Sequence, residues 1–387
     1  MLDKPILKPI CPNFGSGPTA KFPTWTLENL ESALVGRSHR SVEGQEKLSL
    51  LITRTRKVLH IPDSYKIAIM PGSATGAMES ALWSFLGPLK VDVIAFDIFG
   101  ELWAKDLVEQ LKMTNVQTYC AEYGQIPNLE QCCSNHDIVF TWNGTTSGTW
   151  IPHADWISDH RKGLTLCDAT SAAFCVDLPW EKLDVTAFSW QKGLGGEAAH
   201  GMLVLSPQAI QRLEVYRPFW PVPRLFRFTL EEKLRKGIFK GETINTPSML
   251  CVEDCLKALQ WAESIGGLKG LIQRCKSNFQ VLEKWIKQTP WIDFMAHDSS
   301  VTSPISVCLV FPHLRDRSSL DQRDFLVKFS DLLKQNQVAY DVVNHQFAPP
   351  SLRIWCGPTV ETTDIKLLIP WLEWTFEKAI KNWDHID

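Results

Sequence analysis

Along most of this chain, short apolar, β-branched runs alternate with longer stretches whose apolar positions recur every three or four residues. The first such stretch is 46–59, where Leu48, Leu51, Ile52, Thr55, Val58 and Leu59 fall on one helical face. Residues 66–70 then read as a strand and 74–85 as a helix, joined by Pro71-Gly72-Ser73. Further strands are predicted at 91–96, 115–120, 138–142, 164–167, 185–188 and 202–205, with a helix over 101–111. Strand and helix signals alternating from 66 to 250 predict an α/β fold, a mostly parallel mixed sheet flanked by helices.

The pattern changes in the second half. Residues 215–240 are rich in Arg, Phe and Pro and read as irregular. A helix is predicted over 249–264, a break at Gly266-Gly267, and a second amphipathic helix over 268–286. Ile305, Val307, Leu309 and Phe311 alternate as a half-buried strand. A helix around Phe325–Leu333, strands at 338–342 and 352–356, and a last helix over 362–382 complete the series. The expected organisation is an extended Pro-rich arm over 1–20, a large α/β domain over 21–255, and a smaller α+β domain over 256–387.

Composition narrows the function classes. A formal charge of −3 in 387 residues gives no basic field for nucleic acid. The N-terminus lacks an apolar core of a signal peptide and no run of 18 apolar residues occurs, so neither secretion nor membrane spanning is expected. Eleven cysteines without a C-x-x-C pair read as reduced thiols of a cytoplasmic protein. The ten histidines are scattered, and no metal site is expected.

The chemistry gathers at 184–197, D-V-T-A-F-S-W-Q-K-G-L-G-G-E. Lys192 stands at the exit of a buried strand, where desolvation lowers an amine's pKa and makes it a nucleophile toward carbonyls. A snorkelling surface lysine beside a Gly-rich turn is the plain alternative. A dinucleotide fingerprint is excluded by context, because a strand rather than a helix follows the glycines. A Schiff-base lysine for pyridoxal 5′-phosphate (PLP) needs an anionic partner for the ring nitrogen. Asp168, at the end of the preceding strand, supplies one, although taken alone it reads more readily as a helix N-cap.

Nine motifs in order then carry a resemblance that spans almost the whole chain. They are N-F-G-S-G-P (13–18), S-H-R-S (38–41), P-G-S-A-T-G-A-M-E (71–79), Trp103, N-G-T-T-S-G (143–148), D-A-T-S (168–171), S-W-Q-K-G (189–193), I-N-T-P-S (244–248) and L-R-I-W-C-G (352–357). The chain resembles the class V aminotransferases of PLP fold type I, and among them the phosphoserine aminotransferase family. The resemblance implies that Lys192 and Asp168 are catalytic. It implies cofactor contacts from Ser73 and Ala74 (the phosphate), Trp103 (stacked on the ring), Thr145 and Gln191. Asn245 and Thr246 would reach the cofactor phosphate of a neighbouring subunit, which implies a homodimer with shared sites. Ser16, His39, Arg40, His345 and Arg353 match substrate-binding positions, Arg353 for the α-carboxylate. Gln346 departs from the family's second cation beside His345, and Arg40, Arg224 or Arg227 would have to compensate.

The implied activity is ping-pong transfer of an amino group between glutamate and 3-phosphohydroxypyruvate, giving O-phosphoserine for serine biosynthesis. A further role in vitamin B6 synthesis stays open. The competing readings are an alanine–glyoxylate or serine–pyruvate transaminase, a cysteine desulfurase and a non-catalytic PLP-fold sensor. Cys356, within a predicted strand, argues against a desulfurase; the absence of a helix-turn-helix segment argues against a sensor.

Overall fold

A computed structural model describes residues 2–383, with side chains through Lys381. Seven strands form the main sheet: β1 (Lys66–Pro71), β2 (Val91–Ala95), β3 (Val116–Cys120), β4 (Asp137–Thr141), β5 (Thr165–Asp168), β6 (Val185–Ser189) and β7 (His200–Leu205). Their order is β1-β7-β6-β5-β4-β2-β3. The pairs β6-β5, β5-β4, β4-β2 and β2-β3 are parallel, and β7 runs antiparallel to both of its neighbours. All residues of β2, β4, β5, β6 and β7 are buried, as expected where helices cover both faces. The edge strand β3, V-Q-T-Y-C, is half exposed and correspondingly polar.

Alternation along the strands divides the core. Ile67 and Ile69 face the side covered by α1 (Val42–Leu59) and α5 (Met249–Ser264). Ala68 and Met70 face α2 (Ser73–Phe85), α3 (Ile98–Lys105) and α4 (Pro207–Val215). A separate cluster joins the later part of α6 (Gly267–Ile286) to α7 (Ser319–Gln335), α8 (Thr362–Trp383) and a three-stranded antiparallel sheet. That sheet is β8 (Asp293–Phe294), β9 (Ser306–Val310) and β10 (Leu352–Trp355).

Two predicted elements differ. The helix expected at 101–111 begins earlier, because the Asp97 carboxylate accepts from Gly100 N–H at 3.0 Å and caps α3; beyond Lys105 it widens into a π turn over Asp106–Gln110. The strand expected at 338–342 is absent as a ladder. Its apolar residues are buried, but only single bridges form, from Tyr340 to Asn13 and from Val343 to Leu352, and Asp341 is left-handed (φ +56°). An apolar run reports burial, not pairing.

The N-terminal segment is held by α8. Asp364 accepts from the backbone N–H groups of Ile10 (2.7 Å) and Cys11 (3.2 Å), and the Trp371 indole donates to the Leu7 carbonyl at 2.8 Å. No helix of the described residues is long and apolar enough to cross a membrane.

At the opposite end of the sheet from the strand exits, Arg212 of α4 reaches both oxygens of Asp137, the first residue of β4, at 2.7 Å. Asp137 is fully buried and also accepts from Leu164 N–H at 2.7 Å. Removing one member of a buried pair strands the other. Arg212→Leu should therefore cost about 3–5 kcal/mol, read as a lower urea midpoint, and Asp137→Asn/Arg212→Leu should recover much of the loss.

Candidate active site

Adjacent parallel strands end side by side, so residues at their C-terminal ends share one edge of the sheet. Asp168 is the last residue of β5 and lies opposite Thr141 of β4 and Ala187 of β6. Lys192 follows β6 by three residues. Both line one cavity of about 230 Å³, with Asp97 and Phe99 beyond β2 and Ser73 and Ala74 at the start of α2. Thr145 and Gln191, expected as cofactor contacts, line it too.

Asp168 is buried and anchored. Its Oδ1 accepts from the Thr170 N–H (3.0 Å) and hydroxyl, and its Oδ2 from the Trp103 indole at 3.1 Å. Burial pushes its carboxyl above the usual range, while these donors and Lys192 pull it back. For Lys192, burial and then the nearby Arg353 guanidinium push the amine down to about 7. The residue's Nζ donates to the Ser16 carbonyl.

Strand β1 turns into α2 through Gly72 and Ser73, both at positive φ (+79° and +57°). Glycine adopts that conformation freely, whereas for serine it costs on the order of 1–3 kcal/mol. The bend brings the free N–H groups and positive end of a 13-residue helix to the cavity wall, where anions are held.

The remaining expected residues divide between this cavity, a second one and the surface. Trp103 lines the cavity with its indole N–H on Asp168, and the half-buried Phe99 lines it too. The Thr145 hydroxyl pairs with Ser306 of β9 at 2.8 Å. Arg353 and Ser16 line a second cavity of about 510 Å³ across the arm segment 15–18. Arg353 Nε and Ser16 Oγ are buried there without a protein partner. The His345 ring lies 6.2 Å from that of Phe99, and Gln346 beside it is exposed. His39, Arg40, Asn245 and Thr246 line neither cavity; His39 is buried, Arg40 and Thr246 are exposed. Arg224 and Arg227 are exposed, and Arg227 borders a different cleft. Cys356 is buried immediately after β10.

Sequence reasoning missed Asp97 and Phe99. The signal was available for Asp97, a carboxylate just past a strand end as Asp168 is. It is buried, with Oδ2 unpartnered and its pKa pushed up to about 7 by burial.

These residues fit a PLP molecule. The cavity suits one small flat ring, and Gln191 Oε1, Thr141 Oγ1 and Asp97 Oδ2 are buried polar atoms left without protein partners on or beside its walls. An amine and a carboxylate face the same space, and a helix N-terminus is available for phosphate.

The cofactor-free protein offers a direct check on these electrostatics. Reductive methylation of Lys192 should rise with pH through a midpoint near 7, and Arg353→Leu should move that midpoint upward, since a neighbouring positive charge disfavours the ammonium. A midpoint unmoved by the substitution would exclude the guanidinium as a cause.

Comparisons with known proteins enlarge this picture. No family model matches the chain. The phosphoserine aminotransferase of Methanosarcina mazei is 50% identical over 374 residues, 97% of this chain and 99% of that protein. The crystal structure of a phosphoserine aminotransferase from Cytophaga hutchinsonii superposes with a TM-score of 0.78 at 18% identity, covering 93% of this chain and 97% of that one. A PLP-bound phosphoserine aminotransferase from Trichomonas vaginalis gives a TM-score of 0.74 at 17% identity, covering 94% and 99%. The two solved structures share the fold, a PLP-dependent transferase sheet of type I. Half of all aligned residues held in common with the archaeal relative over nearly the full length decides the rest: the chain belongs to the phosphoserine aminotransferase family.

Proposed function

We propose that this protein is a PLP-dependent aminotransferase that takes the amino group of glutamate and passes it to 3-phosphohydroxypyruvate, forming 2-oxoglutarate and O-phosphoserine. The observation that carries the reading is the pair at adjoining strand exits, half-buried Lys192 and buried Asp168, both lining one cavity sized for one ring. The identity to the Methanosarcina mazei protein supports these substrates over an alanine–glyoxylate enzyme or a silent sensor.

When bound, PLP supplies an electron sink for the α-carbon of the amino acid. Lys192 is the base: an amine with a pKa near 7 is about half unprotonated at neutral pH, so it takes the α-proton and returns it at the cofactor's C4′. Asp168 keeps the ring nitrogen protonated, and Trp103 and Thr170 hold that carboxylate in place. We assign the stacking face to Trp103, which lines the cavity with its indole edge on Asp168, and make Phe99 a second aromatic wall. Ser73 and Ala74 at the start of α2, with Gln191, hold the phosphate, and Arg353 takes the α-carboxylate.

His39, Arg40, Asn245 and Thr246 lie outside their own chain's cavity, which supports a homodimer in which they serve the other subunit's site. His345 and Arg40 then meet the substrate phosphate. The arm 1–20, the large domain 21–255 and the small domain from 256 onward would meet around that site. A cytoplasmic place in serine biosynthesis follows from this reading.

The test is an absorbance scan with PLP, glutamate addition, and an acceptor screen of phosphorylated against plain oxo acids, including the phosphorylated oxo acid of pyridoxine synthesis. Lys192→Ala should remove both the visible band and transamination; a retained band would refute the assignment. Arg40→Ala should lower kcat/KM for 3-phosphohydroxypyruvate about 10–100-fold, the scale of one charge-assisted contact, and leave glutamate much less affected. Equal losses would place Arg40 on the carboxylate or on the loop's shape instead.

A further inference from the structure

A strap of four residues, Gly15-Ser16-Gly17-Pro18, separates the two cavities. Gly17 and Pro18 line both, so this backbone is the partition between Lys192 on one side and Arg353 on the other. It is pinned at each end. The Phe14 carbonyl accepts from Trp355 N–H at 2.9 Å, two residues beyond Arg353 in β10. The Thr19 N–H donates to the Gln191 carbonyl (3.0 Å) and its hydroxyl to the Lys192 carbonyl (2.7 Å). The strap is thus tied both to the strand carrying the guanidinium and to the loop carrying the amine.

Within the strap, the Ser16 carbonyl accepts the only hydrogen bond that Lys192 Nζ makes among the described residues. Gly17 makes this approach possible. A methyl group there would overlap Nζ and stand 3.0 Å from Cε. The carbonyl dipole also lies on the partition between two cations that repel each other, where partial negative charge reduces the repulsion.

We propose that the Ser16–Gly17 peptide is a positioning element that holds the Lys192 amine whenever its nitrogen is not bonded to the cofactor, one N–H in the Ser16 carbonyl and the lone pair left for the cofactor cavity. This rests on the aminotransferase reading of Lys192. A lysine stem has four rotatable carbons and loses considerable freedom when its nitrogen must return to one place. An acceptor fixed at both ends by β10 and the Lys192 loop removes that search. It keeps the base beside the α-carbon.

The test uses the full-length protein freed of cofactor, formaldehyde with cyanoborohydride as the probe, and peptide mass spectrometry of Lys192 as the readout. Gly17→Ala should raise the methylation rate about fivefold, the population change that one lost hydrogen bond gives. Gly15→Ala crowds the same strap elsewhere, against Asp341 Cβ at 2.9 Å, and should stay within about twofold of the parent protein. Equal rises in both variants, or none in Gly17→Ala, would overturn the proposal. Thermal midpoints supply a second measure that tolerates partial loss of stability. Gly17→Ala should lower the midpoint in the parent background but not in Lys192→Ala, where the crowded atoms are gone. The same loss in both backgrounds would also overturn it. Adding PLP to unlabelled portions of the same proteins separates the two levels: a coloured parent with unresponsive labelling loses the strap alone, and a colourless parent loses the aminotransferase reading beneath it.

Discussion

Taking the amine of Lys192 out of water is the constraint to which the rest of the molecule answers. Burial alone disfavours its ammonium form, and the Arg353 guanidinium across the strap adds to the effect. Asp168 and Asp97 act in the opposite sense and keep the nitrogen close to neutrality without abolishing its charge. Neither carboxylate would remain in place unaided. Asp168 is gripped by Thr170 and Trp103, and Asp97 by the first turn of α3.

The sheet explains why these groups meet. Five neighbouring parallel strands place their C-terminal ends along one edge, so residues scattered from 97 to 192 line a single cavity. The antiparallel strand β7 fills the gap between β6 and β1, and β1 then delivers α2 to the same edge. The three-stranded sheet contributes through β10, and residues 14–19 connect it to the main sheet, tied to Trp355 at one end and to the Lys192 loop at the other.

The residues that line neither cavity are informative as well. His39 and Arg40 precede α1, and Asn245 and Thr246 precede α5, helices that pack on the same face of the sheet. Their distance from their own chain's site is the physical reason for proposing a second copy. A site finished by another subunit leaves its outside contributors with nothing to bind in one chain.

The sequence by itself determined the order of elements, because a parallel strand buried on both faces must be apolar throughout and a covering helix must carry a stripe. It also marked Lys192 and Asp168 as candidates, since a charge at a buried strand's exit is costly unless it meets a partner. Only the tertiary structure decided which neighbours those charges have. That the Trp103 indole N–H meets Asp168, and that Phe99 joins it on the cavity wall, depends on how α3 sits relative to the end of β5, which spacing does not encode. That 338–342 is buried without a ladder depends on Asp341 turning left-handed beside the arm. That a glycine at 17 lies against an amine at 192 depends on a contact 175 residues long in sequence, closed by hydrogen bonds at both ends of the strap, and no local pattern records such closure.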